Sequence, residues 1–295
     1  MLTVLVILTS GCDRSSLSSG PIFFEFKQQP GDKYVYKIHD QVEWRVYRDD
    51  TLYYTMQHWQ EQTSVMQFIR IDSTAVRHLD ISFRIERDSV HCAAELAWLK
   101  KRKSPVGRLL EYRLRMRPNG EILSVENPSD RRTFFYNKSY RPSQPVFPMT
   151  AIAPGYSWEF RFTIDVPPDT SAIVTSRYKF RTVERVGAFD CAVIDFRGEL
   201  DYLKTFDASN DSTIKDESIT QEYWTRTVSE GRLYFAYREG FVVKKVNLIT
   251  STAKTRECKA GVVQKHSRTE IRDHETITLR EIHHSGGEKM TYWIQ

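Results

Sequence analysis

The clearest local match to a catalytic motif is Ser251-Thr252-Ala253-Lys254, which has the S-x-x-K spacing of serine acylation sites. That chemistry requires the serine at a helix N-terminus and the lysine one turn later, whereas this stretch lies in a region with a strand pattern. The two partner motifs that this chemistry requires are also not matched by the candidate stretches 209–211 and 254–256. Nucleophile elbows, P-loops and dinucleotide-binding fingerprints are absent from the sequence. We therefore predict no catalytic residues and a protein that is not an enzyme.

Metal ligands are the second kind of chemistry that the sequence could support. Four histidines cluster near the C-terminus: His266, His274, His283 and His284. They lack the H-x-H and H-E-x-x-H spacings of metal sites, and solvent-facing strand positions explain them equally well. The acidic stretch 207–218 lacks the glycine and glutamate of a calcium-binding EF-hand loop. We therefore predict no metal and no other cofactor.

A basic run is the strongest electrostatic feature of the chain. Residues 99–117 carry eight Lys or Arg and one Glu, a local charge of +7 in a chain whose net charge is +5. Because the basicity is local, it argues against a nucleic-acid partner. A solvated surface explains the run as well as a contact with a polyanion or with anionic lipid headgroups. The residues proposed for that contact are Lys100, Lys101, Arg102, Lys103, Arg113, Arg115 and Arg117.

The N-terminus has the pattern of a processed leader. An apolar run, Leu2–Thr9, is followed by Ser10, Gly11 and Cys12. The run is too short to span a bilayer. It resembles the apolar region and cleavage box of a bacterial lipoprotein signal peptide, which implies that Cys12 receives the lipid. The match departs from the usual pattern at Thr9, where leucine is common, and in lacking a basic start. A frayed strand with a free cysteine is the alternative.

The remaining cysteines give no further site. Cys92, Cys191 and Cys258 are odd in number and widely spaced, so they indicate neither a disulfide framework nor a zinc site. One disulfide with a spare thiol and three free thiols both remain open. Residues 13–20 are small and polar, which predicts a flexible tether between the leader and the folded part.

Strand patterns dominate the rest of the chain. Apolar and polar residues alternate in 33–38, 112–117 and 156–166, which is typical of half-buried antiparallel strands. The sequence therefore predicts an all-β fold of mainly antiparallel strands, arranged as a curved sheet, a sandwich or a barrel-like structure. Helix propensity adds one or two short helices, at 50–62 and 91–103.

A weak internal repeat suggests a duplicated β unit. Pro-Gly precedes an aromatic alternating strand at Gly31 and again at Gly155, and each is followed by a glycine turn, at Gly120 and Gly240. The two spacings are similar, 89 and 85 residues. Chance recurrence of Pro-Gly before a strand is the alternative interpretation.

These signals divide the chain into consecutive segments. After the signal peptide with its lipidation site (1–12) and the tether (13–20) come a first β half (21–135), a proline-rich connector (136–155) and a second β half with C-terminal strands (156–295). The connector carries four prolines, which cannot donate hydrogen bonds within a sheet.

The lipobox-like Cys12, the polar tether, the Pro-Gly-led aromatic strands and the glycine-led hairpins together resemble all-β bacterial envelope lipoproteins. LolA-like and LppX-like members of that wider group fold a curved sheet around an apolar cavity that holds lipid, which is an analogy only. The resemblance implies lipid anchoring in the bacterial envelope, on the periplasmic side of the inner or the outer membrane.

The expected function is non-enzymatic binding of an apolar ligand or an envelope protein through a curved antiparallel sheet. The aromatic residues at inward strand positions motivate this expectation, and filling of the core is their alternative role. Two further functions stay open: a structural or assembly protein without a ligand, and a glycan-acting hydrolase whose two carboxylates meet only in space.

Overall fold

The structure, a computed structural model, describes residues 20–126 apart from 95, 97, 98 and 100, and then 145–166, 170–207, 219–259 and 262–294. Strands dominate these ranges, which confirms the predicted all-β fold. The same ranges contain no helix with the length and apolar character needed to cross a membrane. Cys12, the tether up to residue 19 and Lys100 lie outside the described residues.

Twelve strands form in the described ranges. The longest, β11, has 22 residues, which corresponds to about 70 Å of extended chain. In chain order the strands are β1 (Lys33–Arg48), β2 (Thr51–Ile71), β3 (Arg77–Cys92), β4 (Leu109–Met116), β5 (Ile122–Glu126), β6 (Ser157–Val166), β7 (Thr170–Val186), β8 (Phe189–Asp207), β9 (Ile219–Ala236), β10 (Phe241–Lys259), β11 (Val262–His283) and β12 (Lys289–Thr291).

All twelve strands belong to one antiparallel sheet. Its order is β5-β4-β3-β2-β1-β11-β10-β9-β8-β7-β6, with β12 beside β11. Two meanders, β1–β5 and β6–β11, join where β1 pairs with β11 along its whole length. Within the described ranges the sheet is not closed, because β5 and β6 each pair on one side only. The two halves predicted from the sequence therefore form a single sheet.

The prediction of a helix at 50–62 is wrong. Residues 51–62 lie in β2, which pairs with β1 on one side and β3 on the other. The helix propensity of this segment is overridden because its aromatic and long side chains pack against neighbouring strands. In the second predicted helix, 91–103, His91 and Cys92 end β3. Leu99 is the one described residue of this segment with helical backbone, and four of its positions lie outside the described residues.

The four glycines of the internal repeat occupy equivalent places in the two meanders. Gly31 and Gly155 precede the first strand of each meander, while Gly120 and Gly240 lie in the turn between its fourth and fifth strands. All four have positive φ, between 80° and 93°. Glycine adopts this backbone region without the strain that a side chain would add.

One end of the sheet holds the hydrophobic core. The β2–β3, β4–β5, β7–β8, β9–β10 and β11–β12 hairpins all turn at this end, which we call the packed end; the opposite end is the far end. One cluster at the packed end contains the fully buried Phe180, Ile194 and Phe235. A second cluster contains Tyr34 of β1 and Leu279 of β11. Both clusters draw on the two meanders, so the packed end holds the halves together.

Two segments outside the strands complete the packed end. Ile22 and Ile152 exchange backbone hydrogen bonds of 2.8 and 2.9 Å. Phe24 stacks on Phe147, with 5.2 Å between ring centroids, and Phe26 meets the ring of Phe235 edge-on at 5.3 Å. The C-terminal part of the proline-rich connector is therefore part of the core.

Replacing Gly240 with alanine is expected to lower the free energy of unfolding by about 3 kcal/mol. A Cβ at this position would lie 2.4 Å from the backbone nitrogen of Lys27, and the residue has a φ of +80°. Gly155→Ala is the matched control, since its φ is +93° but nothing lies within 4 Å of the added Cβ. Urea denaturation should give a loss of only about 1 kcal/mol for the control. Equal losses for the two variants would contradict the close approach at Gly240.

Candidate functional site

The sheet has an inner face, defined here as the face that carries Tyr34, Tyr36 and Ile38 of β1. These three side chains are buried, with 3%, 6% and 4% of their surface exposed. The same face continues toward the far end with Val42 and Trp44, which are only half-buried. The inner face is therefore dry at the packed end and accessible beyond it.

A row of polar side chains crosses the inner face where the two clusters end. Five residues in continuous cross-strand register, one on each of five adjacent strands, form this polar row: Asp88, Gln60, Asp40, Glu275 and Asn247. Directly opposite residues in a sheet lie about 5 Å apart, which places each side chain within reach of the next. The row separates the packed end from the half-exposed inner face.

Hydrogen bonds connect the row along β3, β2 and β1. The amide of Gln62 donates to Asp40 at 2.9 Å and to the side-chain oxygen of Gln60 at 2.6 Å. Gln60 in turn donates to Asp88 at 3.1 Å. A connected set of this kind fixes the rotamers of its members, since each displacement leaves a polar group without its partner.

Asp88 is the most strongly held member of the row. Arg102, from the connection between β3 and β4, donates two hydrogen bonds to its carboxylate at 2.6 and 3.0 Å. The His58 ring lies 2.6 Å from the same carboxylate and stacks on Trp44 at 5.8 Å. Burial by itself raises the pKa of Asp88, but the bonds from Arg102, His58 and Gln60 outweigh it and lower the pKa to about 2.

The Asp88→Asn variant is expected to be about 2 kcal/mol less stable than the wild type at neutral pH. The pKa of Asp88 lies below its ordinary value of 3.8 in the folded chain. Its contribution to stability is therefore present above pH 4 and is lost as the pH falls from about 4 to about 2. Urea denaturation of both proteins across this range should show their difference shrinking. Asp80→Asn is the control, because Asp80 is 53% exposed and 3.7 Å from Arg113. If the stability difference of this control shrank in the same pH range, the role assigned to Asp88 would be contradicted.

Glu275 of the row forms a buried ion pair with Lys245 on the neighbouring strand β10. The Lys245 ammonium lies 2.5 Å from the Glu275 carboxylate, and their side chains are 8% and 4% exposed. Beside them Ser229 donates a 2.9 Å hydrogen bond to Asn247. Charges this deeply buried persist only when they are paired.

Aromatic side chains line the inner face on the far side of the polar row. Trp44 lies there on β1, and Tyr202 and Tyr223 on β8 and β9 face each other at 6.1 Å. Phe160 and Phe162 stack at 6.0 Å on the edge strand β6. All five are half-buried. This part of the inner face thus combines half-buried aromatic side chains with the polar row at its boundary, which suits an amphipathic or apolar ligand.

The structure does not bring the residues of the basic run together. Arg102 turns to the inner face and pairs with Asp88, whereas Lys101 and Lys103 are exposed in the β3–β4 connection. Arg113 and Arg115 lie on the outer face of β4, and Arg117 follows at the packed end. These three arginines approach carboxylates, namely Asp80 at 3.7 Å, Asp72 at 4.0 Å and Glu121 at 2.6 Å.

A shallow cavity of about 480 Å³ lies among the outer-face residues of β2–β5. Arg70, Arg113 and Arg115 line it together with Asp72 and His78, so both signs of charge are present. The hydroxyl of Thr74 and then the ring of His78 hold the pKa of Asp72 well below its ordinary value. Asp72 thereby fixes the β2–β3 turn, which gives the carboxylate a structural role.

The cysteines and histidines take separate positions. Cys92, Cys191 and Cys258 are all free thiols, and burial raises the pKa of Cys191 to about 12. His283 lies 2.8 Å from Glu281 and His284 lies 3.3 Å from Asp32. No group of three or more metal-ligating side chains is found among the described residues.

The polar row is not among the sites predicted from the sequence. A signal for it was present: Asp40, Lys245 and Glu275 continue the alternation of the buried apolar residues on their own strands. A charged residue in phase with buried ones indicates an internal polar contact. The alternation of 33–38 and of 156–166 predicted the core face correctly, because Tyr34, Tyr36 and Trp158 pack inward.

The fold defines an all-β protein built on one open antiparallel sheet, with a packed end and an accessible inner face. No protein-family model matches the chain, and no curated protein does. Among solved structures, an outer membrane channel from Pseudomonas putida F1 aligns over 89% of this chain and 100% of its own, with 5% identity and a TM-score of 0.22. A TM-score this low does not indicate a shared fold.

Proposed function

We propose that the protein is a non-enzymatic lipoprotein of the bacterial cell envelope, anchored through Cys12, that binds an apolar or amphipathic ligand on the inner face of its sheet. The observation that carries the binding proposal is the half-exposed aromatic surface beyond the polar row. Aromatic and apolar side chains on the surface of a soluble protein are usually scattered, whereas a contiguous group marks a site that binds another molecule. The leader pattern carries the anchoring proposal.

The inner face offers both parts of an amphipathic binding site. Trp44 and Ile271 are opposite each other on β1 and β11, and Met56 lies opposite Trp44 on β2. All three are half-buried and lie beyond the row. The polar row supplies hydrogen-bonding groups at the inner limit of this surface. An acyl chain or a similar apolar group would lie along the strands, with its polar end against the row.

Native mass spectrometry of the full chain, produced in a bacterial envelope and purified gently, tests the ligand. An adduct of lipid size that is lost on delipidation is expected. Trp44→Ser should reduce the adduct, whereas Trp59→Ser, on the outer face of β2 and 36% exposed, should leave it unchanged. A clean mass of the protein alone, or equal loss in both variants, would contradict ligand binding at the inner face.

A protein partner is the second candidate, and the unpaired edge of the sheet favours it. Within the described residues β6 has a strand neighbour only on the side of β7. A strand edge of this kind offers backbone donors and acceptors to an added strand. A proline substituted in β6 at an amide that points away from β7 would weaken capture of a cross-linked partner in cells.

A further inference from the structure

Two segments without any charged residue lie side by side at the packed end. Residues 20–24 read GPIFF and residues 145–156 read PVFPMTAIAPGY, in a chain of which 27% of the residues are charged. The backbone pairing of Ile22 with Ile152 joins the two segments. The two segments are far apart in the sequence, and only the fold brings them together into one surface without charged residues.

Each of these segments has buried residues that hold it to the core and exposed residues that form an apolar surface. Ile22, Phe24 and Ile152 point into the core and are 7%, 1% and 3% exposed. Other residues of the same segments are exposed: Phe23 is 43% exposed and Met149 is 69% exposed. We call the outward residues the charge-free surface: Pro21, Phe23, Met149, Ala151, Pro154 and Tyr156.

The position of this surface relative to the N-terminus limits what can cover it. Cys12 is eight peptide units before Gly20, a distance of at most about 29 Å in extended chain. Gly20 is the first described residue and adjoins Pro21 of the charge-free surface. An acyl group on Cys12 would hold this surface within that distance of a membrane. The far end of the sheet lies much farther away, since the 16 residues of β1 extend about 53 Å.

We propose that the charge-free surface rests on the lipid bilayer, with Phe23, Met149 and Tyr156 inserted at the level of the headgroups. This inference rests on the proposed anchoring of Cys12. Tyr suits the bilayer interface because its ring is apolar and its hydroxyl is polar, and Phe supplies apolar area on the lipid side. The absence of charged residues from both segments fits a contact with the acyl boundary and needs no anionic lipid. The packed end then faces the membrane, and the inner face opens away from it.

Oxidation of Met149 by hydrogen peroxide provides the test, because an exposed methionine loses its reactivity when lipid covers it. The full chain, produced in a bacterial envelope, is reconstituted into vesicles of phosphatidylcholine alone. Its reference is the full chain with Cys12→Ser in solution without vesicles. Peptide mass spectrometry should give at least about fivefold slower oxidation of Met149 in vesicles. Met290, which is half-buried and outside the surface, should oxidise at an unchanged rate.

The same spectra report the mass of the N-terminal peptide, which separates the two proposals. An acylated Cys12 with Met149 oxidised at the solution rate would overturn the lipid contact and leave the anchor. An unacylated Cys12 with Met149 protected when vesicles are added would overturn the anchor and support the contact. Protection that grows with protein concentration in the absence of vesicles would mean that a second copy covers the surface, and would overturn the lipid as occupant.

A matched pair of variants checks that the apolar side chains make the contact. Phe23→Ser combined with Tyr156→Ser should return Met149 oxidation in vesicles to near the solution rate. Leu203→Ser is the control, since Leu203 is 64% exposed but lies near the far end of β8. An unchanged protection of Met149 in the double variant would overturn the proposed contact.

Discussion

Replacing Lys245 with methionine is expected to lower the free energy of unfolding by about 3–5 kcal/mol at neutral pH. The substitution keeps the length of the side chain but leaves the Glu275 carboxylate, 4% exposed, without its ammonium partner at 2.5 Å. A buried carboxylate that loses its ammonium partner no longer recovers the part of its desolvation cost that this ion pair offset. Urea denaturation monitored by tryptophan fluorescence gives the measurement.

Two further variants separate the charge effect from packing. Lys245→Met combined with Glu275→Leu should recover most of the lost stability, because an apolar pair of similar volume removes both charges. Arg197→Met is the surface control: Arg197 is 45% exposed and pairs with Glu230 at 2.5 Å. Its loss should be at most about 1 kcal/mol. If the double variant were as unstable as the single one, packing and not charge would explain the effect.

Phe24→Ala is expected to cost about 3–5 kcal/mol of stability, since it leaves a cavity among aromatic rings. Phe24 is 1% exposed. Its ring centroid lies 5.2 Å from those of both Phe147 and Phe180, and 6.1 Å from that of Phe235. These contacts connect the segment 20–28 to the end of the connector and to both β7 and β9. Differential scanning calorimetry or urea denaturation would measure the loss.

The neighbouring residue supplies the control for this prediction. Phe23 is the same residue type one position earlier and is 43% exposed, so Phe23→Ala should change stability by no more than about 0.5 kcal/mol. Comparable losses at Phe23 and Phe24 would contradict the inward orientation of Phe24. A small loss at both would mean that residues 20–28 do not contribute to the core.

The two substitutions with large expected losses of stability lie on different sides of the boundary that the polar row forms. Phe24 acts at the packed end, where apolar burial dominates, while Lys245 acts at its boundary with the accessible inner face. A ligand on the inner face would therefore contact the polar row, whose side chains are already held in place by hydrogen bonds. These extend from Asp88 with Arg102 at one side to Asn247 with Ser229 at the other. Such preorganisation lowers the entropic cost of binding.

The local features of the fold follow from the sequence alone. Alternation with a period of two predicted the buried faces of β1, β4 and β6, because side chains of a strand point to opposite sides whatever its neighbours are. Glycine turns predicted hairpin positions such as Gly120, since positive φ is a property of the residue itself. The sequence also predicts a processed leader and acylation of Cys12, and both stay predictions.

The tertiary structure alone decided the arrangement of these parts. The pairing of 33–48 with 267–283 joins the two meanders, and no local pattern specifies a partner more than two hundred residues away. The long-range pairing also aligned Asp40 with Glu275 in one row, while pairing with β1 and β3 turned 51–62 from a predicted helix into strand β2. Local patterns fix which face of a strand is apolar. Only the packing of distant strands fixes which polar groups meet on that face, because burial and cross-strand register are properties of the assembled sheet.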